Sequence, residues 1–169
     1  MKQYIGTKIV EAEPAIRYEL EGGGHWLKKE SDPCPRKCKL FEVVPGTEQE
    51  GYVVRYADGY ESWSPKDVFE RAYLLIDINE SLKTDKPSIS QQMVDDFISE
   101  VEVQTMGQKT TVVRATLKNG FEIVEASSCV SPENYSEELG ADLCLRKIKD
   151  KVWMLLGFLL QTGTAGVKP

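Results

Sequence analysis

Toward the end of the chain, Ala141, Leu145, Ile148, Val152, Leu155 and Leu159 recur at three- and four-residue intervals. That spacing predicts a long helix with one apolar face. Such a face needs a partner to bury it, and the preceding stretch supplies one. Glu100–Thr105, Thr110–Leu117 and Phe121–Ala126 read as three strands. They are separated by residues 106–109 and by Lys118-Asn119-Gly120, where Asn-Gly is a strong hairpin signal. Alternation places Thr111, Val113, Ala115 and Leu117 on one face of the middle strand. Val112, Arg114 and Thr116 fall on the other. Residues 100–165 are therefore expected to form an antiparallel three-stranded meander packed on a long helix. Each large apolar side chain buried there contributes about 1.5–3 kcal/mol before entropy is counted. Gly140 reads as a break between a short first helix and the long one, and Gly163 as the helix end.

Residues 1–75 read as a smaller α+β module, which makes the whole chain α+β. Tyr4–Val10 is a candidate strand. Pro14–Pro45, with Gly22-Gly23-Gly24, Pro33 and Pro35, reads as a long irregular loop. Tyr52–Tyr56 and Tyr60–Trp63 flank Asp58-Gly59 and read as an aromatic hairpin. Ser64-Pro65 then predicts a helix start, with Ser64 as cap, Pro65 at the first helical position and Asp67 in the first turn. Val68, Phe69 and Ala72 would be its apolar side. Residues 76–99 read as a linker with a short helix over Ser90–Ile98, where Met93, Val94, Phe97 and Ile98 follow helical spacing.

The formal net charge of −6 counts against long nucleic acid as a partner. Met1–Val10 has no long apolar run and does not read as a signal peptide, and the Gly157-interrupted cluster Val152–Leu160 is far too short to cross a bilayer. The expectation is a cytosolic protein with no membrane partner, its four cysteines held as thiols. Cys34 and Cys38 have the spacing of a loose zinc half-site, which only Cys129, Cys144 or His25 could complete. Ordinary thiols are the simpler reading, and no cofactor is expected.

Nothing in the pattern suggests catalysis. His25 is the only histidine. The Gly22-Gly23-Gly24 run lacks the lysine-serine ending of a phosphate loop. The acidic pairs Asp95-Asp96 and Glu137-Glu138 read as solvated helix faces. The stretch after the third strand offers a binding site instead. Ser131-Pro132-Glu133-Asn134 reads as a helix start, where free N–H groups and a partial positive charge suit an anion. Ser127 and Ser128 add hydroxyls, Asn134 an amide, Phe121 and Tyr135 rings for stacking, and Arg146 a bidentate phosphate contact. The same residues also read as a capped helix over a packed core, with Glu133 opposing a bare anion. Tyr52, Tyr56, Tyr60 and Trp63 offer a second surface, suited to a protein partner.

The elements Asn119-Gly120-Phe121, Ser127 to Tyr135, and Lys151 to Leu160 with its Lys-x-Trp-x-Leu-x-Gly-Phe-x-Leu pattern resemble a family of small tailed-bacteriophage proteins. Tyr4 to Lys8 and Asp58-Gly59-Tyr60-x-Ser62-Trp63-Ser64-Pro65 resemble a module often joined to it. In its sheet-plus-long-helix plan this family is similar to the first type of Thoeris anti-defence protein. That resemblance implies a non-catalytic sponge in the host bacterial cytoplasm. It would sequester a cyclic ADP-ribose isomer or a cyclic oligonucleotide, working as a dimer or higher oligomer with sites near subunit interfaces. Phe121, Ser127, Ser128, Asn134, Tyr135 and Arg146 would then be its ligand-binding residues. The alternative is an interaction module that inhibits a host protein through the aromatic hairpin or the acidic surface.

Overall fold

The computed structural model describes residues 3, 6–32, 43–77, 79–84 and 86–167. It divides into two compact units, residues 1–75 and 76–169. The N-terminal unit is a four-stranded antiparallel sheet in the order β2-β1-β3-β4, followed by a helix. Its strands are β1 (Glu11–Glu19), β2 (His25–Lys29), β3 (Gln49–Arg55) and β4 (Glu61–Pro65), and the helix is α1 (Lys66–Ala72).

The stretch expected to be a loop from Pro14 thus contains a hairpin. Gly6–Val10 carries no strand; β1 begins at Glu11 instead. Leu20–Gly24 turns the chain with Gly22, Gly23 and Gly24 all at φ near +90°, which only glycine adopts readily. Pro14 is tolerated inside β1 because its carbonyl accepts from Glu30 N at 2.9 Å. Its nitrogen points to that same edge, at the end of β2, so the missing N–H leaves the ladder to β3 intact. The β3–β4 hairpin around Asp58-Gly59 matches the expectation, with Tyr60 N donating to Asp58 Oδ1 at 3.0 Å.

Helix α1 starts at Lys66, one residue later than expected. Pro65 stands at the cap position and no side chain caps the helix. Of the apolar side expected for it, only Phe69 is covered. It stacks on Tyr52 at 4.2 Å, while Val68 and Ala72 are exposed. Among the described residues, Ala15, Val53 and Val54 are the buried apolar side chains of this unit.

The C-terminal unit is α2 (Gln91–Phe97), the sheet β5 (Ile98–Met106), β6 (Thr110–Leu117), β7 (Glu122–Ser128), and α3 (Glu137–Ala165). Strand order is β5-β6-β7, all antiparallel, as the alternation predicts. Ser90 caps α2, accepting from Met93 N at 3.2 Å, and α2 packs on α3. The short helix therefore belongs to this unit and leads directly into β5.

Helix α3 lies over β6 and β7. Thr111, Val113, Ala115 and Leu117, which alternation places on one face, are fully buried beneath it. The helix face is rotated from the expected one. Gly140, Cys144, Ile148, Val152 and Leu156 are buried, while Leu159 is exposed. Gly140 is no break, because α3 runs through it. A Cβ there would stand 2.7 Å from Thr111 Cβ, so glycine is what lets helix and sheet close. Gly163 does not end α3 either; Gly166, at φ +66°, does.

Candidate functional site

The junction between β7 and α3 is the expected site, and it is built differently from the sequence reading. Pro132–Asn134 is a single 3-10 turn, separate from α3. Ser131 does not cap it with its side chain. Instead, the Ser131 hydroxyl and the N–H of Glu133 hold the Glu133 carboxyl below its ordinary 4.5. The real cap of α3 is Ser136, which accepts from Leu139 N at 3.3 Å, and Glu137 and Glu138 occupy the first turn. Acids and a serine thus already answer the free N–H groups and dipole that an anion would use.

Below this turn, hydroxyls gather. Thr105, Thr111 and Ser127 form one row across β5, β6 and β7 on the helix-facing side. The Tyr135 hydroxyl bridges Thr105 Oγ1 at 2.7 Å and Thr111 Oγ1 at 3.1 Å. Thr105 also donates to Glu137 Oε2. This network locks the start of α3 to the sheet. Sequence reading missed Thr105, Thr111 and Glu137; the register that aligns Thr105, Thr111 and Ser127 was the available signal.

The six expected ligand residues do not converge within one chain. Ser127 and Ser128 are neighbours on a strand and point to opposite faces. Ser127 is half-buried under the helix side; Ser128 is exposed on the other face and shares a 2.9 Å bond with Thr110. Phe121 sits at the far end of β7, roughly 20 Å from Ser127 at 3.3 Å per residue. Arg146 is about 200° around the helix from both Cys144 and Ile148, so it faces away from the sheet. Tyr135 is spent in the network above. Phe121, Asn134 and Arg146 are exposed, and among the described residues none has a side-chain hydrogen bond, ion pair or ring contact.

Several other charges on this unit are committed. Arg114 bridges Glu102 at 2.6 Å and Glu122 at 3.1 Å on the open sheet face. Lys151 pairs with Glu125 and Lys149 with Asp95, each lowering its partner's carboxyl. Burial pushes up the Cys144 thiol, which lies against Thr111 O. Cys129 Sγ donates to Ser131 O at 3.0 Å. Among the described residues no group of three or more His, Cys, Asp or Glu is placed to hold a metal ion. Cys34 and Cys38 lie outside the described residues. No described helix is long and apolar enough to cross a membrane.

Over residues 89–164 the chain is similar to the phage protein (N4 Gp49/phage Sf6 gene 66) family. The match opens just before α2 and closes one residue short of the end of α3, so it takes in the short helix with the meander. No curated protein and no solved structure matches the chain.

Proposed function

We propose that this is a phage anti-defence protein whose C-terminal unit sequesters a cyclic nucleotide signal without turning it over. The observation that carries the reading is the state of the candidate groups. The ring of Phe121, the amide of Asn134 and the guanidinium of Arg146 suit a base, a ribose and a phosphate. All three are exposed and unspent in their own chain. Because they are spread over one protomer, a closed site needs a second copy to bring complementary groups together.

Two surfaces favour such an assembly. The outward side of α3 changes from Asp142, Arg146 and Asp150 to exposed Met154 and Phe158. Strand β5 is a sheet edge, and its helix-side Val101 and Val103 are left 40% and 42% exposed because α3 lies over β6 and β7. Holding a signal at nanomolar levels takes about −12 kcal/mol. Charge-assisted phosphate contacts and stacking in an interface that excludes water are of that order.

Calorimetric titration with cyclic ADP-ribose isomers and cyclic di- and trinucleotides tests this. Sub-micromolar binding, weakened by Arg146→Ala or Phe121→Ala, with intact ligand recovered after heat denaturation, is the expected result. A cleaved product would mean a hydrolase, and no heat with any of these ligands would end the sponge reading for them.

A second reading rests on the β3–β4 hairpin. Tyr60 is 64% exposed and stacks on Tyr56 at 5.9 Å, presenting an aromatic tip suited to a host protein. Capture of one host protein, lost in Tyr60→Ala and with no nucleotide bound, would favour it.

A further inference from the structure

The N-terminal sheet is strongly curled. Lys29 on β2 and Glu61 on β4 stand on opposite edges, three strand spacings and thus no less than roughly 14 Å apart if the sheet were flat. Their side chains nevertheless meet at 3.4 Å. The concave face carries Glu11, Glu13, Ala15, Arg17 and Glu19 of β1. Opposite them lie His25, Leu27 and Lys29 of β2, Val53 and Arg55 of β3, and Glu61 and Trp63 of β4. Most charges on this face cancel. Lys29 pairs with Glu13 and Glu61, and Arg55 with Glu61 at 2.8 Å and Glu11 at 3.5 Å.

Arg17 is the exception. It has no acidic partner among the described residues, and neither does His25. The Arg17 guanidinium lies 5.0 Å over the Trp63 ring. Trp63 in turn rests on Gly51, where a Cβ would stand 2.9 Å from the indole. Gly51, Trp63 and Arg17 form a stack that holds the guanidinium over the indole, and no described residue accepts from its N–H donors. The stack borders a hollow of about 420 Å³ that Arg17, His25, Tyr60 and Trp63 help to line. A second observation concerns the indole of the same stack. The indole Nε1 of Trp63 is buried and, among the described residues, is the buried side-chain donor with no acceptor.

We propose that this hollow binds an oxyanion, the phosphate or carboxylate group of a small molecule, with Arg17 as the residue that holds it. Arg17 supplies paired N–H donors to two oxygens. Trp63 positions it by holding the guanidinium over the indole ring. His25 and Tyr60 add donors at the rim. Glu61 also lines the hollow, but two cations already share its charge. Glu19, opposite His25, is the acid that works against binding.

The test follows the indole N–H signals of Trp26, Trp63 and Trp153 by NMR, with Trp63→Phe assigning the second. The full chain is titrated with inorganic phosphate and, separately, with acetate, at ionic strength held constant with chloride. The expected result is a saturable shift of the Trp63 signal alone. It should weaken about tenfold or more in Arg17→Gln, recover in part in Arg17→Lys and strengthen in Glu19→Gln. Saturation by phosphate only would mark a phosphoryl site, and equal saturation by acetate a carboxylate site. Linear drift with both anions would overturn the proposal. So would unchanged affinity in Arg17→Gln while the Trp26 and Trp153 signals keep their native positions. Neither result bears on cyclic nucleotide binding by the C-terminal unit, which is read from Arg146 and Phe121.

Discussion

The two sheets of this protein are held in different ways. In the C-terminal sheet α3 covers one face of β6 and β7, and the residues buried in that seam are nearly all apolar. The N-terminal sheet buries Ala15, Val53 and Val54 and otherwise relies on ring stacks and ion pairs at the surface. Apolar burial is insensitive to salt and pH. Exposed ion pairs are screened and individually weak. The comparison teaches that one chain can contain a unit with stability in reserve beside one with little.

The strongest way to break that contrast is to hollow out the seam. Ile148→Ala should cost about 2–5 kcal/mol. Hydrogen exchange resolved along the chain should show β6, β7 and α3 losing protection while β1 and β3 keep theirs. Equal loss in both units would mean that they unfold together. Next comes Gly140→Ala, expected to cost about 1–3 kcal/mol by overpacking against Thr111. Adding Thr111→Ala should recover part of that loss, because the Thr111 hydroxyl is the nearest atom to the new methyl. Strict additivity in chemical denaturation would place the strain elsewhere.

Smaller effects sharpen the comparison at the caps. Ser136→Ala and Ser90→Ala should each cost about 1 kcal/mol, since both hydroxyls accept from a helix N–H. Ser64→Ala, at a helix start with no side-chain cap, should stay within about 0.5 kcal/mol. A reversed order in thermal melts would show the caps to be misassigned. The mildest probe is acid. In the N-terminal unit, the Glu13 carboxyl is held below 4.5 by Ser31 and then Lys29, and that of Glu61 by Arg55 and then Lys29. A lowered folded pKa means that these contacts contribute stability above 4.5 and lose it as pH falls through the lower folded values. Glu125 and Asp95 titrate the same way in the C-terminal unit, with a larger core behind them. The signals of Trp26 and Trp63 should therefore change at higher pH than that of Trp153. Coincident transitions would erase the distinction.

How much of this was legible in the residues differs between the units for a physical reason. In the C-terminal unit β6 alternates strictly between buried and partly exposed residues, so periodicity alone located it to its ends. The helix face was misjudged because its closest contacts are Gly140 and Cys144, small residues that carry little apolar signal but fit where the backbones approach. In the N-terminal unit both faces of the sheet are partly covered, so Val53 and Val54 are buried side by side and alternation fails. Pro14 inside β1 and three successive glycines beyond it also mimic a loop. The candidate site was the least legible part. Sequence neighbours such as Ser127 and Ser128 look like one cluster, yet a strand sends them to opposite faces. Residues far apart, such as Thr105 and Tyr135, meet instead.

The fit of Gly140 against Thr111 has a further consequence. It gives α3 a single lengthwise seat, because a slide of one turn would bring Ser136 or Cys144 over Thr111 in place of the glycine. The helix therefore acts as a ruler. Its capped start at Glu137 and the exposed ring of Phe158 are kept about 30 Å apart at 1.5 Å per residue. Any body that settles against the Phe158 end is thereby held at a fixed remove from the Tyr135 end, and two such rulers laid side by side would set the dimensions of whatever they enclose.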